Sequence, residues 1–309
     1  MPVETARNNV LVIKLSALGD FILSLGAFQA IRAHHPAARM TLLTTGPFQN
    51  LAKASGCFDA IWIDDRPPLW RPDRWLALGR RLRAARFDRV YDLQRSDRSG
   101  WYFRLAGRPE WVGAVAGCSH RYVPPPGPAL HIADREAAQL AAAGVGPIEA
   151  PDLSFFDTDI GRFALTPPTA LLVPGSAPHR PAKRWPAARF AALARELAAQ
   201  GTTPLLLGTK AEAQALAEIA RACPAARDLC GETGLAEIAA LARGARLAVG
   251  NDTGPMHLIA AAGCPSLVLY SAESDPARTA PRGPKVAILR EASLENLELD
   301  KVLAALEDF

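Results

Sequence analysis

The segment Leu247-Ala-Val-Gly-Asn-Asp-Thr-Gly-Pro-Met-His-Leu-Ile-Ala-Ala-Ala-Gly263 leaves its chain few choices. Leu247 to Val249 is a short apolar run that reads as a buried strand. Gly250 to Gly254 reads as a tight turn. Pro255 suits the first turn of a helix, where its missing N–H would be unpaired anyway. Met256 to Ala262 continues that helix, and Gly263 ends it. Strand, glycine turn and helix start together gather backbone N–H groups and a positive dipole end at one point. An anion, most often a phosphate, is the natural ligand. Asp252, Thr253 and His257 crowd the same point. The segment also reads as an ordinary strand-to-helix connection with a capping Asp or Thr, and these residues alone leave both readings open.

The rest of the chain repeats the pattern. Val10 to Leu15 is a near-continuous apolar run, the mark of a central parallel strand. Phe21, Ile22, Leu25, Phe28 and Ile31 then recur at helical spacing, which predicts one helix over Phe21 to Ala33. Further strands are predicted at Met40–Thr44, Ala60–Ile63, Arg89–Leu93 and Trp111–Ala114. Helices are predicted at Arg74–Arg86, Asp97–Ala106 and Asp134–Ala143. Proline clusters at 124–128 and 167–168 punctuate the middle, and the domain junction is placed near residues 150–168. The alternation restarts with strands at Ala170–Val173, Pro204–Leu207, Ser266–Tyr270 and Val286–Leu289, and with helices at Ala187–Gln200, Ala211–Ala222, Leu235–Arg243 and Leu294–Leu306. Strand and helix in alternation predict doubly wound α/β domains, two of them with a cleft between.

A length of 309 residues suits two ordinary domains, and 49% hydrophobic against 21% charged residues suits a globular protein with ample core. No apolar run approaches the ~18 residues of a membrane span, and Met1 to Asn9 lacks a signal-peptide core, so the cytoplasm is the expected compartment. Five cysteines without a C-x-x-C indicate neither a disulfide frame nor a zinc site. The net charge of +4 is unevenly placed: residues 1–150 hold 19 Lys and Arg against 13 Asp and Glu. Such a field faces nucleic acid, anionic lipid or an acidic substrate, or only solvates the surface.

In open α/β sheets ligands bind beyond the carboxyl ends of strands. Four loops fall there. Ser16-Ala-Leu-Gly-Asp20 lacks the G-x-G-x-x-G spacing of a dinucleotide fingerprint. Its Asp20 is either a helix N-cap or a carboxylate that takes a proton. The loop from Pro174 to Pro186 holds Gly175, Ser176, His179, Arg180, Lys183 and Arg184 and no acid, which suits a phosphate chain. Gly208-Thr-Lys-Ala-Glu212 offers Glu212 as a ribose-hydroxyl acceptor or as a first-turn carboxylate that the helix favours anyway. The fourth is Asn251 to His257. His257 has no second His or Cys at ligand spacing, so no metal is expected. Asp92 to Ser99 adds Arg and Gln side chains able to grip a polar or anionic acceptor. A G-x-S-x-G elbow and a Walker loop are absent.

Lys14-Leu-Ser-Ala-Leu-Gly-Asp20, Pro174-Gly-Ser-Ala-Pro with Lys183-Arg-Trp-Pro186, and Gly250-Asn-Asp-Thr-Gly-Pro-Met-His257 resemble, in order and spacing, the three signatures of glycosyltransferase family 9, the ADP-heptose:lipopolysaccharide heptosyltransferases. The resemblance covers nearly the whole chain. It implies a GT-B fold: a Rossmann-like acceptor-binding domain over residues 1–160, a second that binds the nucleotide sugar over 161–290, and a closing helix over 291–309 that returns to the first. It implies inverting, metal-independent transfer of heptose from an ADP-sugar to the inner core of lipopolysaccharide, with no cofactor and no nucleic acid. Asp20 would be the general base. Lys183 would contact the donor diphosphate with Ser176 nearby, Glu212 would hold the ribose, and Asp252, Thr253, Gly254, Pro255 and His257 would wrap diphosphate and sugar. Gln94, Arg98 and Ser99 match the acceptor-side loop more loosely. Gly175-Ser176 stands where some relatives carry paired threonines. The basic first domain would meet the acceptor at the inner face of the membrane, as a peripheral contact. The alternatives are a nucleotide-sugar epimerase of similar layout, a family member using another sugar or acceptor, and a nucleotide-sugar binding protein without catalysis.

Overall fold

A computed structural model of the chain describes residues 8–177 and 180–309. The polar residues 1–7, and Pro178 and His179 of the long basic loop, lie outside that range. The chain divides into two compact units, Met1–Phe155 and Phe156–Phe309.

The first unit holds strands β1 (Asn9–Ile13), β2 (Arg39–Thr44), β3 (Ala60–Ile63), β4 (Arg89–Asp92), β5 (Glu110–Gly113) and β6 (His120–Arg121). Its helices are α1 (Leu18–Leu23), α2 (Leu25–His34), α3 (Gln49–Ala54), α4 (Pro72–Ala84), α5 (Asp97–Leu105) and α6 (Ile132–Ala141). The sheet runs β3-β2-β1-β4-β5-β6 with every pair parallel. Val10 to Ile13 are buried, as a central strand covered on both faces requires.

The second unit repeats the plan. Its strands are β7 (Thr169–Val173), β8 (Thr203–Leu206), β9 (Arg227–Asp228), β10 (Leu247–Asn251), β11 (Ser266–Tyr270) and β12 (Val286–Arg290). Its helices are α7 (Ala187–Ala199), α8 (Ala213–Ala222), α9 (Leu235–Gly244), α10 (Gly254–Ala261), α11 (Pro276–Thr279) and α12 (Leu299–Leu306). The parallel sheet runs β12-β11-β10-β7-β8-β9. In both units the first strand lies third from one edge and pairs with the fourth, the doubly wound Rossmann order. In the second unit the order therefore reverses between β7 and β10, and the loops leaving those two strands flank the switch point.

The predicted single helix from Phe21 is two. Ser24 interrupts it: its hydroxyl lies 2.8 Å from the carbonyl oxygen of Asp20 and 2.9 Å from Glu136 Oε1 on α6. A serine bonding to the carbonyl four residues back bends a helix. The two-residue edge strands and the short helices α3 and α11 carry too little periodicity to be legible beforehand. The last predicted helix begins instead as a 3₁₀ turn, Leu294–Asn296, and α12 buries Val302 in the core that α7 and the second sheet share.

Candidate active site

Strand β10 ends where backbones must approach closely. A Cβ on Gly250 would stand 2.6 Å from Met256 Sδ and 2.8 Å from Val173 Cβ, so only glycine lets β7 and α10 pack there. Asn251, fully buried, ties the loops together. Its amide donates to the Pro174 carbonyl at 2.7 Å, and its Oδ1 accepts from the Trp185 backbone N–H at 3.0 Å. Trp185 is itself buried and donates its indole N–H to the Leu297 carbonyl at 2.8 Å. Both ends of the basic loop are thereby fixed, and its 3₁₀ turn Pro181–Lys183 aims a lysine back at β10.

Lys183 Nζ lies 2.6 Å from Asp252 Oδ2, with the two side chains 13% and 10% exposed. Ser274, in the loop after β11, donates its hydroxyl to the same oxygen at 2.6 Å. Burial pushes the Asp252 carboxyl up, but the hydrogen bonds from Lys183 and Ser274, with the charges of Lys183 and His257, outweigh it and hold it below its ordinary value. Thr253 is the N-cap of α10, yet its side chain makes no capping bond, and Pro255 sits in the first turn. Gly254 and Pro255 are half-buried, and His257 is buried in the first turns of α10. The positive end of the helix dipole and the Lys183–Asp252 ion pair thus lie at one point.

Ser176 is buried, and its Oγ accepts from Arg184 Nε at 3.2 Å. Glu212 closes a capping box: its Oε2 accepts from the Thr209 N–H at 2.8 Å and from the Thr209 hydroxyl at 2.6 Å. The bland alternative for Glu212, a carboxylate at a helix start, is thus realised. It also faces the basic loop, because a Cβ on Gly175 would come within 2.9 Å of Glu212 Cγ. Three of the four loops singled out in the sequence meet in this one unit, and His179 alone of their named residues lies outside the described range.

The remaining loop, Ser16–Asp20 in the first unit, is braced from several sides. Gln94 Oε1 accepts from the N–H groups of Leu15, at 2.7 Å, and Ser16, at 3.2 Å. The Leu15 carbonyl accepts from Thr45 Oγ1 at 2.9 Å and Arg66 Nη2 at 3.0 Å. Asp20 is the third residue of α1, not its N-cap: that position is Ala17, and no side chain caps the helix. Asp20 is half-buried, and its carboxylate has no hydrogen bond among the described residues. Of the acceptor-side residues, Gln94 serves as that brace. Arg98 donates to the Pro67 carbonyl at 3.0 Å and stacks over Trp75. Ser99 is fully buried inside the capping box of α5, so its hydroxyl stands behind the loop surface. Ser274 and Asn251 emerge as further site residues. The hydroxyl-rich run Ser271-Ala-Glu-Ser274 after a predicted strand was the available signal for the former.

The comparisons with known proteins agree with this geometry. The profile of glycosyltransferase family 9 (heptosyltransferase) matches residues 129–304. Lipopolysaccharide heptosyltransferase 2 of Escherichia coli (strain K12) is 26% identical over 310 residues, spanning 91% of this chain and 87% of the relative. The solved E. coli ADP-heptose lps heptosyltransferase II superposes with a TM-score of 0.78 at 25% identity, covering 97% of this chain and 98% of that one. A family 9 glycosyl transferase from Veillonella parvula DSM 2008 reaches 0.80 at 21% identity, over 99% and 98% of the two chains. The fold is that of the GT-B glycosyltransferases, two Rossmann-like domains in one chain. The chain belongs to glycosyltransferase family 9.

Proposed function

We infer that this enzyme moves a heptose from ADP-heptose to the inner core of lipopolysaccharide, with inversion at the anomeric carbon, without a metal, and in peripheral contact with the inner membrane. The observation that carries the reading is the Lys183–Asp252 pair at the N-terminus of α10. There a cation and a hydroxyl, both held by the Asp252 carboxylate, stand beside a helix start at the switch point of a Rossmann sheet, an arrangement that suits an anionic ligand. Similarity to the solved E. coli ADP-heptose lps heptosyltransferase II supports the donor and the acceptor.

In this reading residues 1–160 bind the acceptor and residues 161–290 the donor. Lys183, with Ser176, Thr253, Gly254, Pro255 and His257 around it, receives the diphosphate and sugar. Glu212 turns its free oxygen to the ribose. The acceptor hydroxyl oxygen forms a bond to C1 of the heptose. The bond from C1 to the β-phosphate oxygen breaks, and its electron pair leaves with ADP. The hydroxyl proton passes to Asp20, a step worth ~10²–10⁴-fold. Charge that grows on the departing ADP meets Lys183 and the helix dipole, which are already in place. Gln94 and Arg98 set the acceptor edge of the loop.

The test is transfer from ADP-heptose to lipopolysaccharide lacking heptose, read by mass and by the anomeric configuration of the product. An inverted linkage, formed equally in EDTA, is the expected result. Retention, or loss of activity in EDTA that a divalent ion restores, overturns the mechanism. ADP release without acceptor, or interconversion of the free sugar nucleotide, points to an epimerase instead. Equal thermal stabilisation by ADP, UDP and GDP overturns the adenine assignment.

A further inference from the structure

Helix α4 buries one face and leaves the other bare. Leu82 is buried, and a Cβ on Gly79 would stand 3.2 Å from Leu105 of α5. Arg98 of α5 lies over the Trp75 ring. Away from that seam, Leu76 is 55% exposed. Arg80 and Arg83 follow it four and seven residues on, hence on the same face, and both are exposed. Leu69 and Trp70, in the turn that leads into α4, are 76% and 80% exposed. Single exposed apolar residues are ordinary, but here a tryptophan and two leucines fall within residues 69–76, among arginines. Neither Arg80 nor Arg83 has an acidic partner among the described residues. From residue 66 to 108 the chain holds twelve Arg against four Asp and no Glu.

We propose that this face, the Leu69–Trp70 turn with Leu76, Arg80 and Arg83, docks the protein on a bilayer surface of anionic headgroups. The charge selects the occupant. Uncompensated arginines are drawn to the negative potential of such a surface, and tryptophan settles at headgroup depth with its ring in the apolar boundary. Leu76, Arg80 and Arg83 share that side of α4 with Asp73, whose charge Arg71 meets at 2.8 Å, so the side keeps a net positive charge beside its apolar residue, as an interfacial helix does. The assignment gives a location to the peripheral contact proposed above, rests on that part of the reading alone, and is independent of the transfer chemistry.

The full-length protein is sedimented with vesicles of phosphatidylcholine and with vesicles of equal parts phosphatidylcholine and phosphatidylglycerol. Binding to the mixed vesicles only, abolished at ~1 M salt where screening is complete within ~3 Å, is expected. Leu69→Ser/Trp70→Ser and Arg80→Gln/Arg83→Gln should each lower that partitioning about tenfold or more. Melting temperature should not move, because the sites are exposed, and transfer to a detergent-solubilised acceptor should persist. That last readout separates this proposal from the transfer reading, which fails if wild-type protein is inactive there. Equal binding to both vesicle types, or variants that bind like the wild type, overturns the docking face. So does a vesicle-free dimer that Leu69→Ser/Trp70→Ser abolishes, which would give the face to a second copy of the chain.

Discussion

Lys14 Nζ and Glu136 Oε1 lie 2.8 Å apart beneath the Asp20 loop, with their side chains 2% and 1% exposed. The pair joins the residue that follows β1 to α6, and Ser24, at the break between α1 and α2, reaches the same oxygen at 2.9 Å. Two charges buried this deeply are costly to separate. Lys14→Met or Glu136→Gln alone should destabilise the protein by about 3–5 kcal/mol, since each strands a partner in apolar surroundings. Lys14→Met/Glu136→Gln should cost clearly less than the two single changes added together. Urea titrations of the four proteins measure the coupling. Additive losses would show that the two charges do not depend on each other.

Asp20 offers a separation of stability from turnover. Because α1 starts at Leu18 and Asp20 caps nothing, Asp20→Asn should leave the melting temperature close to that of the wild type. Its ADP affinity should also change little, while transfer falls by ~10²–10⁴-fold. Thermal melts, ADP titration and a transfer assay on one preparation decide it. Full activity in this variant removes Asp20 as the base.

At Lys183 the expectation is a double effect. Lys183→Ala should weaken ADP binding and slow transfer, because it removes a cation from a diphosphate that gains charge as the bond breaks. It should also raise the Asp252 carboxyl, which keeps its burial and loses a main source of lowering. A lowered carboxyl adds stability above its unfolded pKa and loses it as pH falls through the folded value. The variant should therefore lose less stability on acidification than the wild type. Lys183→Arg should recover only part of the activity, since a planar guanidinium differs from a compact ammonium. Unchanged kinetics in Lys183→Ala would mean that the loop is structural only.

Asp92 titrates in the opposite sense. Burial raises its carboxyl to about 6, against hydrogen bonds from the Arg95 backbone and Ser99 that favour the charged form. A raised acid binds its proton more tightly folded than unfolded, so stability falls as pH rises from its ordinary value of 3.8 through about 6. Asp92→Asn keeps an acceptor for the Arg95 N–H at 2.9 Å and removes the titration. The stability of wild type relative to this variant should rise by about 3 kcal/mol between pH 7 and strongly acidic pH. Denaturation at several pH values tests this, and a flat difference would show Asp92 ionising normally.

The architecture was legible because it is written in long signals. Runs such as Val10–Leu15 and Leu247–Val249 are apolar on both faces, and only a parallel sheet buries both. The meeting of the Lys183, Glu212 and Asp252 loops followed from their places after strands. What escaped were relations that no local pattern encodes. Gln94 reads as a ligand-gripping amide, yet it accepts two backbone N–H groups from a loop 78 and 79 residues away. Ser24 looks like any helical serine until Glu136 is found beside it. Ser274 reaches Asp252 only because β10 and β11 are neighbours.

The contact between Lys183 and Asp252 also bears on selectivity. If the donor diphosphate binds at α10 as proposed, it would find the lysine already engaged by Asp252, and its binding would be an exchange against that ion pair. The observed affinity is then a difference between two ion pairs. A ligand that brings two phosphates, a ribose and a base would have more contacts to offset that exchange than a small anion would. On the proposed reading, the resting pair would favour a ligand that adds ribose and base contacts over inorganic phosphate alone.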